Sequence, residues 1–222
     1  MACNLGVAKS IAHCEATEPA SIDLPTNWSS MNDGDVVRLV DIPKDKPEYT
    51  KVEKEFLRTA NNTVQGVIKI ERVQNPAMYR LYMMRRAVME KRKNKPKPVE
   101  RNLWHGTDVA AVDSINTAGF NRSYCGKNAT MFGKGVYFAV NTAYPAGRGY
   151  ASPDSNGHKR IYKSLVLTGD FAQGAPDIPV PPPNPSNPGF NFDSTVDSMS
   201  KPVMFVVFLD NMAYPEYLIT FT

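Results

Sequence analysis

The sequence predicts an α+β domain on three observations. Helical periodicity is concentrated in the first half, β-rich runs recur throughout and close the chain, and the two never fall into the regular strand–helix–strand alternation of a doubly wound sheet. Composition agrees: of 222 residues, 42% are hydrophobic and 22% charged, which is ordinary for a globular chain able to bury one large core.

Residues 1 to 22 show no sustained periodicity and read as a flexible lead-in or linker, leaving 23–222 as one domain. Met1 to Ala20 has neither a continuous apolar run nor a basic start, so no signal peptide is expected. Cys3, Cys14 and Cys125 are odd in number and lack C-x-x-C spacing, which predicts no disulfide framework, no metal site and a reducing compartment. The expected location is the cytoplasm, with the nucleus as a second one. No stretch approaches the ~18 apolar residues of a membrane-spanning helix, so no membrane partner is expected.

Glu48 to Ala60 carries Val52, Phe56 and Leu57 at helical spacing and predicts a short amphipathic helix stopped by Asn61-Asn62. Val64 to Val73 alternates with period two and predicts a strand. From Pro76 to Lys93, Met78, Leu81, Tyr82, Met84, Val88 and Met89 recur at threes and fours, with Pro76 at the start; this predicts the longest helix, its methionines filling core. Lys95-Pro-Lys-Pro98 is an extended exit, and Leu103 to His105 a short strand. Asp108 to Ala118 reads as a helix with Asp108 as N-cap and Gly119 as its stop. A loop follows, then a strand over Gly135 to Val140, a helix over Asn141 to Tyr150 broken near Pro145 and Gly147, and a strand over Ile161 to Thr168. Pro176 to Pro188 holds seven prolines and predicts an extended surface connection. Val203 to Leu209 and Tyr217 to Phe221 predict two closing strands separated by Asp210 to Glu216.

Net charge is +4, and Arg85 to Arg101 alone carries eight Lys or Arg against two Glu. Such a run could hold nucleic acid, but more commonly it is a solvated face. No G-x-G-x-x-G opens a helix after a strand, and neither a G-x-x-x-x-G-K-[ST] nor an H-E-x-x-H occurs. The Rossmann, P-loop and zincin readings are thereby excluded.

Two elements stand out. Trp104-His105-Gly106-Thr107 ends a strand at a glycine, and Gly133-Lys-Gly-Val-Tyr-Phe138 brings two glycines up to aromatic rings. Alone, His105 reads as a strand-end histidine and Tyr137 as a core tyrosine. Together, with a loop-rich stretch between them and a hydrophobic strand pair at the end, they resemble the catalytic domain of the poly(ADP-ribose) polymerase superfamily. Asp23 to Asn32 (DLPTNWSSMN), Ile70 to Asn75 (IERVQN), Gly119 to Ala129 (GFNRSYCGKNA) and Ala213 to Phe221 (AYPEYLITF) are similar to its macrodomain-bearing branch, whose members transfer single ADP-ribose units.

The resemblance implies an ADP-ribosyltransferase fold, mixed and antiparallel sheets with flanking helices around a cleft for NAD+, which is consumed as substrate without a metal. It implies that His105 bonds the adenosine ribose, that the Gly106 backbone pairs with the nicotinamide carboxamide with Thr107 alongside, and that Tyr137 and Tyr150 sandwich the nicotinamide ring. It also implies that Tyr144 and Pro145 contact the cofactor, and that Asn121 to Phe132 corresponds to the donor loop. Aromatic faces and a glycine suit a flat cationic ring bearing an amide. Where polymer-forming relatives carry a glutamate, this chain aligns Met204, a thioether that cannot act as a base; Glu216, in Tyr-Pro-Glu-Tyr, is the less favoured alignment. Where the family usually carries a serine, eight residues after Tyr137, this chain has Pro145, which removes one hydrogen bond to nicotinamide.

The expected activity is therefore glycosyl transfer of one ADP-ribose to a protein side chain, with acceptor proteins, the chain itself among them, and nicotinamide-mimetic inhibitors as partners. An inactive interaction module is the first alternative and nucleic-acid binding through the basic run the second.

Overall fold

The computed structural model describes residues 22–92, 98–124, 130–147 and 149–222. The lead-in up to residue 21, the three cysteines, Lys93, Lys95 and Lys97 of the basic run, and residues 125–129 of the expected donor loop lie outside them. Nine strands among the described residues form one sheet. In chain order these are β1 (Arg38–Asp41), β2 (Val67–Gln74), β3 (Glu100–Thr107), β4 (Val136–Ala139), β5 (Lys159–Leu167), β6 (Phe171–Gln173), β7 (Ser194–Val196), β8 (Met204–Val207) and β9 (Ala213–Phe221). The helices are α1 (Pro47–Leu57), α2 (Pro76–Glu90), α3 (Val112–Ala118) and α4 (Ala143–Gly147). The α+β architecture is thus the expected one.

Across the sheet the order is β1-β2-β9-β5-β3-β4-β8-β7-β6. All neighbours are antiparallel except β6 and β7. Successive residues of a strand point to opposite faces, and Ile161 and Tyr162 of β5 fall in separate apolar clusters. Tyr162 packs in the cluster that includes Tyr82 and Met89 of α2 and Ile115 of α3. Ile161 joins Val52 and Phe56 of α1 and Ala146 of α4. Helices therefore cover both faces, as a sheet with buried central strands requires.

Several expectations need correction. On α2, Leu81, Met84 and Val88 are more than half exposed. They recur at i, i+3 and i+7, roughly 100° around the helix from Met78, Tyr82 and Met89, so the apolar arc is wider than the side that meets the sheet. Asn75 caps this helix by accepting the Met78 N–H at 3.1 Å. The last strand begins at Ala213, not Tyr217, and runs through Pro215. Proline is tolerated there because β9 pairs only with β5 over 213–215, the β2 pairing starting at Tyr217, and the register shifts between Lys163 and Ser164 opposite Glu216. The segment expected to be helical over Asn141 to Tyr150 is helical only over Ala143–Gly147. The proline-rich stretch forms the crossover between parallel β6 and β7. It folds on itself: a Pro183–Asn191 bridge closes it, and Asp170 accepts from the side chains of Asn184 and Asn187, each at 3.1 Å.

Three cations of the basic run are engaged within the described residues. Arg86 pairs with Glu90 and Glu100, Arg92 with Asp193, and Arg101 lies 5.0 Å from the centroid of Phe205.

Candidate functional site

The sheet is pinched at one place. β3 shares eight registered pairs with β5 but only one, Trp104↔Ala139, with β4. Beyond that pair the strands part, and the ladder gives way to a side-chain bond between His105 Nδ1 and the Tyr137 carbonyl, 2.8 Å apart. The parting opens a cleft of about 540 Å3, within the ~300–1,000 Å3 of small-molecule sites. His105, Gly106, Thr107, Tyr137, Tyr144, Pro145, Tyr150 and Met204 all line it. The sequence separated these residues by up to a hundred positions; the seam brings them to one cavity.

His105 sits against Phe120 (ring centroids 4.9 Å) and Phe138 (5.4 Å). Burial pushes its pKa below the ordinary value, offset in part by the bond to the Tyr137 carbonyl. A carbonyl only accepts, so Nδ1 carries the proton, and in the neutral ring Nε2 is left as an acceptor. That is the right chemistry for a ribose hydroxyl.

The Tyr137 hydroxyl is occupied by its own turn: it accepts the Phe132 N–H at 3.0 Å and donates to the Gly133 carbonyl at 2.9 Å. Its role is thus partly structural, holding the end of the 121–132 segment against β4 while the ring faces the cleft. Gly135 leads into β4 so close to β8 that a Cβ would lie 2.7 Å from Val206 Cγ1 and closer still to the Val207 carbonyl. Side-chain-free backbone is the condition for this strand to dock. The same holds at Gly106, where a Cβ would stand 3.0 Å from both the Ala151 nitrogen and Pro145 Cβ.

Tyr144 and Tyr150 stack on one another, centroids 5.6 Å apart and planes 15° from parallel. Their wall is anchored from α1's end: Thr59 accepts the Ala143 N–H through its carbonyl and the Thr142 N–H through Oγ1, both at 3.0 Å. Lys159 Nζ donates to the Ala146 carbonyl near the end of α4. Met204 is buried, paired with Ala139, and fixed by the Asp197 carboxylate, which accepts its backbone N–H at 3.0 Å. Glu216 does not line the cleft; it lies in β9, 3.4 Å from Lys163 Nζ, with its pKa raised by burial. The cleft's only lining carboxylate among the described residues is Asp108.

Sequence reading missed Asp108, Phe120, Ser114 and Ser152 as cleft residues. The expected cap at Asp108 needs correction: the residue stands, with extended backbone, before a short 3₁₀ turn, Val109–Ala111, to which its side chain gives no capping hydrogen bond, and α3 begins only at Val112. Its position immediately after His-Gly-Thr was the available signal. Of the expected donor loop, Asn121, Met131 and Phe132 line the cleft.

The sheet is thus parted at one seam, with an imidazole acceptor on one side of the cleft and stacked phenol rings on the other. The chain belongs to the poly(ADP-ribose) polymerase catalytic domain family, whose model matches residues 46–175. It is 43% identical over 203 residues to the human protein mono-ADP-ribosyltransferase PARP14, covering 91% of this chain and 11% of that protein. To mouse protein mono-ADP-ribosyltransferase PARP10 it is 36% identical over 186 residues, 82% of this chain and 19% of the relative. Mouse protein mono-ADP-ribosyltransferase PARP11 is 31% identical over 222 residues, 92% of this chain and 66% of its own length. The chain thus spans between about a tenth and two-thirds of these relatives.

Proposed function

We propose that this chain transfers a single ADP-ribose from NAD+ to a side chain of an acceptor protein, itself included, and releases nicotinamide. The observation that carries this is the convergence of His105, Gly106, Tyr137 and Tyr150 on one cleft whose β8 wall presents a thioether, Met204, and no carboxylate.

His105 Nε2 would accept from the adenosine ribose, the Gly106 backbone would pair with the carboxamide, and the rings of Tyr137 and Tyr150 would hold the nicotinamide face. Cleavage of the glycosidic bond passes through an oxocarbenium-like state, as in glycoside hydrolysis, so an oriented leaving group lowers the barrier. The acceptor's nucleophile then closes on the anomeric carbon. With Met204 where polymer-forming relatives hold glutamate, no group there can deprotonate a ribose hydroxyl of a preceding unit, and elongation stops at one. Nicotinamide mimics such as benzamides should occupy the ring subsite. Nucleic-acid binding through the basic run has no comparable support, three of its cations, Arg86, Arg92 and Arg101, being engaged within the fold. Incubation with labelled NAD+ and an acceptor, resolved on a gel, tests the assignment: one discrete labelled species supports it, whereas a ladder of lengthening chains or no label at all refutes it.

A further inference from the structure

A second cavity, of about 180 Å3, opens where the carboxyl half of α2, the proline-rich crossover and the end of β8 meet. Its wall holds three guanidinium groups, Arg85, Arg92 and Arg122, against one carboxylate, Asp193. Arg92 and Asp193 neutralise each other: Nη1 donates to both carboxylate oxygens at 2.7 and 2.9 Å, and both side chains are nearly buried. Arg122 donates to the carbonyls of Phe208 (3.0 Å) and Pro179 (3.4 Å), neutral partners that leave its charge in place. The carboxylate of exposed Asp210 reaches the Arg122 backbone N–H at 3.4 Å. Arg85 is half-buried, and its buried Nε has no partner among the described residues. Burial, and after it the positive charge of Arg92, push the Arg85 pKa down, with Asp193 offsetting only in part.

A desolvated cation beside another cation is a cost to folding, and a leucine or methionine at position 85 would avoid it. Local violations of this kind are characteristic of sites kept for a ligand. Around the mouth stand Val180, Phe190 and Leu209, each 46–51% exposed, so the cavity has a cationic floor and an apolar rim.

We propose that this cavity binds the phosphoryl group of a phosphorylated protein segment, with an apolar neighbour of that residue resting on the Val180–Phe190–Leu209 rim. Two guanidiniums with no salt-bridge partner of their own among the described residues match the charge of a phosphomonoester, about −1.5 to −2 at neutral pH, and guanidinium–phosphate bonds are among the stronger protein hydrogen bonds. Arg122 adjoins Asn121, which lines the large cleft, so the bound segment would lie beside that cleft. The inference does not depend on the chemistry proposed there, and binding alone tests it.

Fluorescence anisotropy of the whole chain with a short peptide carrying phosphoserine followed by leucine and phenylalanine, against its unphosphorylated twin, reads the site directly. The phosphopeptide should bind at least tenfold tighter. Arg85→Met should abolish that preference with a melting temperature equal to or above that of the parent, since its Nε has no described partner to lose. Leu209→Asp, at an exposed rim position, should weaken the phosphopeptide by adding a like charge. Equal affinity of the two peptides, or a preference that survives both variants, would overturn the proposal. Inorganic phosphate competing at the same concentrations as the phosphopeptide would overturn the assignment to a protein segment.

Discussion

Replacing Pro145 by serine isolates a single hydrogen bond in the cleft. Pro145 lies in the first turn of α4, where Ala146 N–H bonds the Thr142 carbonyl at 3.1 Å. The N–H that serine restores at position 145 is one that a helix start leaves without an intrahelical partner, so no backbone bond is broken. Serine keeps the Cβ that packs toward Gly106 and adds a hydroxyl to the cleft wall, where the family pattern has one. A neutral hydrogen bond contributes about 0.5–1.5 kcal/mol net, which is roughly a two- to tenfold tighter dissociation constant for a benzamide-type ligand. Against this, the freer unfolded chain costs ~0.4–1 kcal/mol of stability, or a melting temperature lower by about 1–4 °C at this chain length. Titration calorimetry with benzamide on both proteins, alongside their thermal melts, measures the two effects separately. Unchanged or weaker affinity in a folded Pro145→Ser variant would refute the placement of residue 145 at the carboxamide.

Three further outcomes follow from the same geometry. Gly135→Ala should cost about 1–3 kcal/mol by overpacking against β8, read as a lower midpoint in chemical denaturation; an unchanged midpoint would mean β4 does not dock as closely as described. Tyr137→Phe should lose about 1–3 kcal/mol, because it leaves the Phe132 N–H without its acceptor, and should loosen the turn at Phe132 and Gly133 to limited proteolysis while retaining the ring; parental stability and protease resistance would contradict this. The depressed His105 pKa sets the sign of a pH effect: the unfolded chain takes up a proton as pH falls through about 6.5, and the folded one only at lower pH. The contribution is therefore fully present above that pH and is lost progressively below it. Unfolding free energies at pH 7.5 and 5.5 should fall further for the parent than for His105→Gln, and an equal or smaller fall would contradict the assignment.

Strands with strong period-two patterning and helices with clear starts were legible from residues alone, as β2, β5 and α2 illustrate. β6 and β7 were not, since Phe171–Gln173 and Ser194–Val196 are too short to show a period. Nor was β1, whose Arg38–Asp41 is mostly exposed at the sheet edge. Pro215 hid the first half of β9, because its tolerance depends on which neighbours pair there, a tertiary fact. On α2, periodicity named six apolar positions and could not say that Leu81, Met84 and Val88 face away. The cleft lining was legible through family resemblance: His105 and Tyr137 each have an ordinary structural reading, and only the seam between β3 and β4 makes them neighbours. Asp108 shows the converse: a capping role suggested by its place before the helix obscured it as cleft lining, and its side chain does not make that cap.

The most direct test of the central claim is intact-mass spectrometry of the chain after incubation with NAD+ and no other protein, with released nicotinamide quantified in the same sample. A single transfer per site predicts mass increments of one ADP-ribose on each modified residue, mapped by peptide fragmentation, with nicotinamide released in at least equal amount, and loss of both signals in His105→Ala. Increments of several linked units on one residue, or nicotinamide release that persists in His105→Ala, would contradict it.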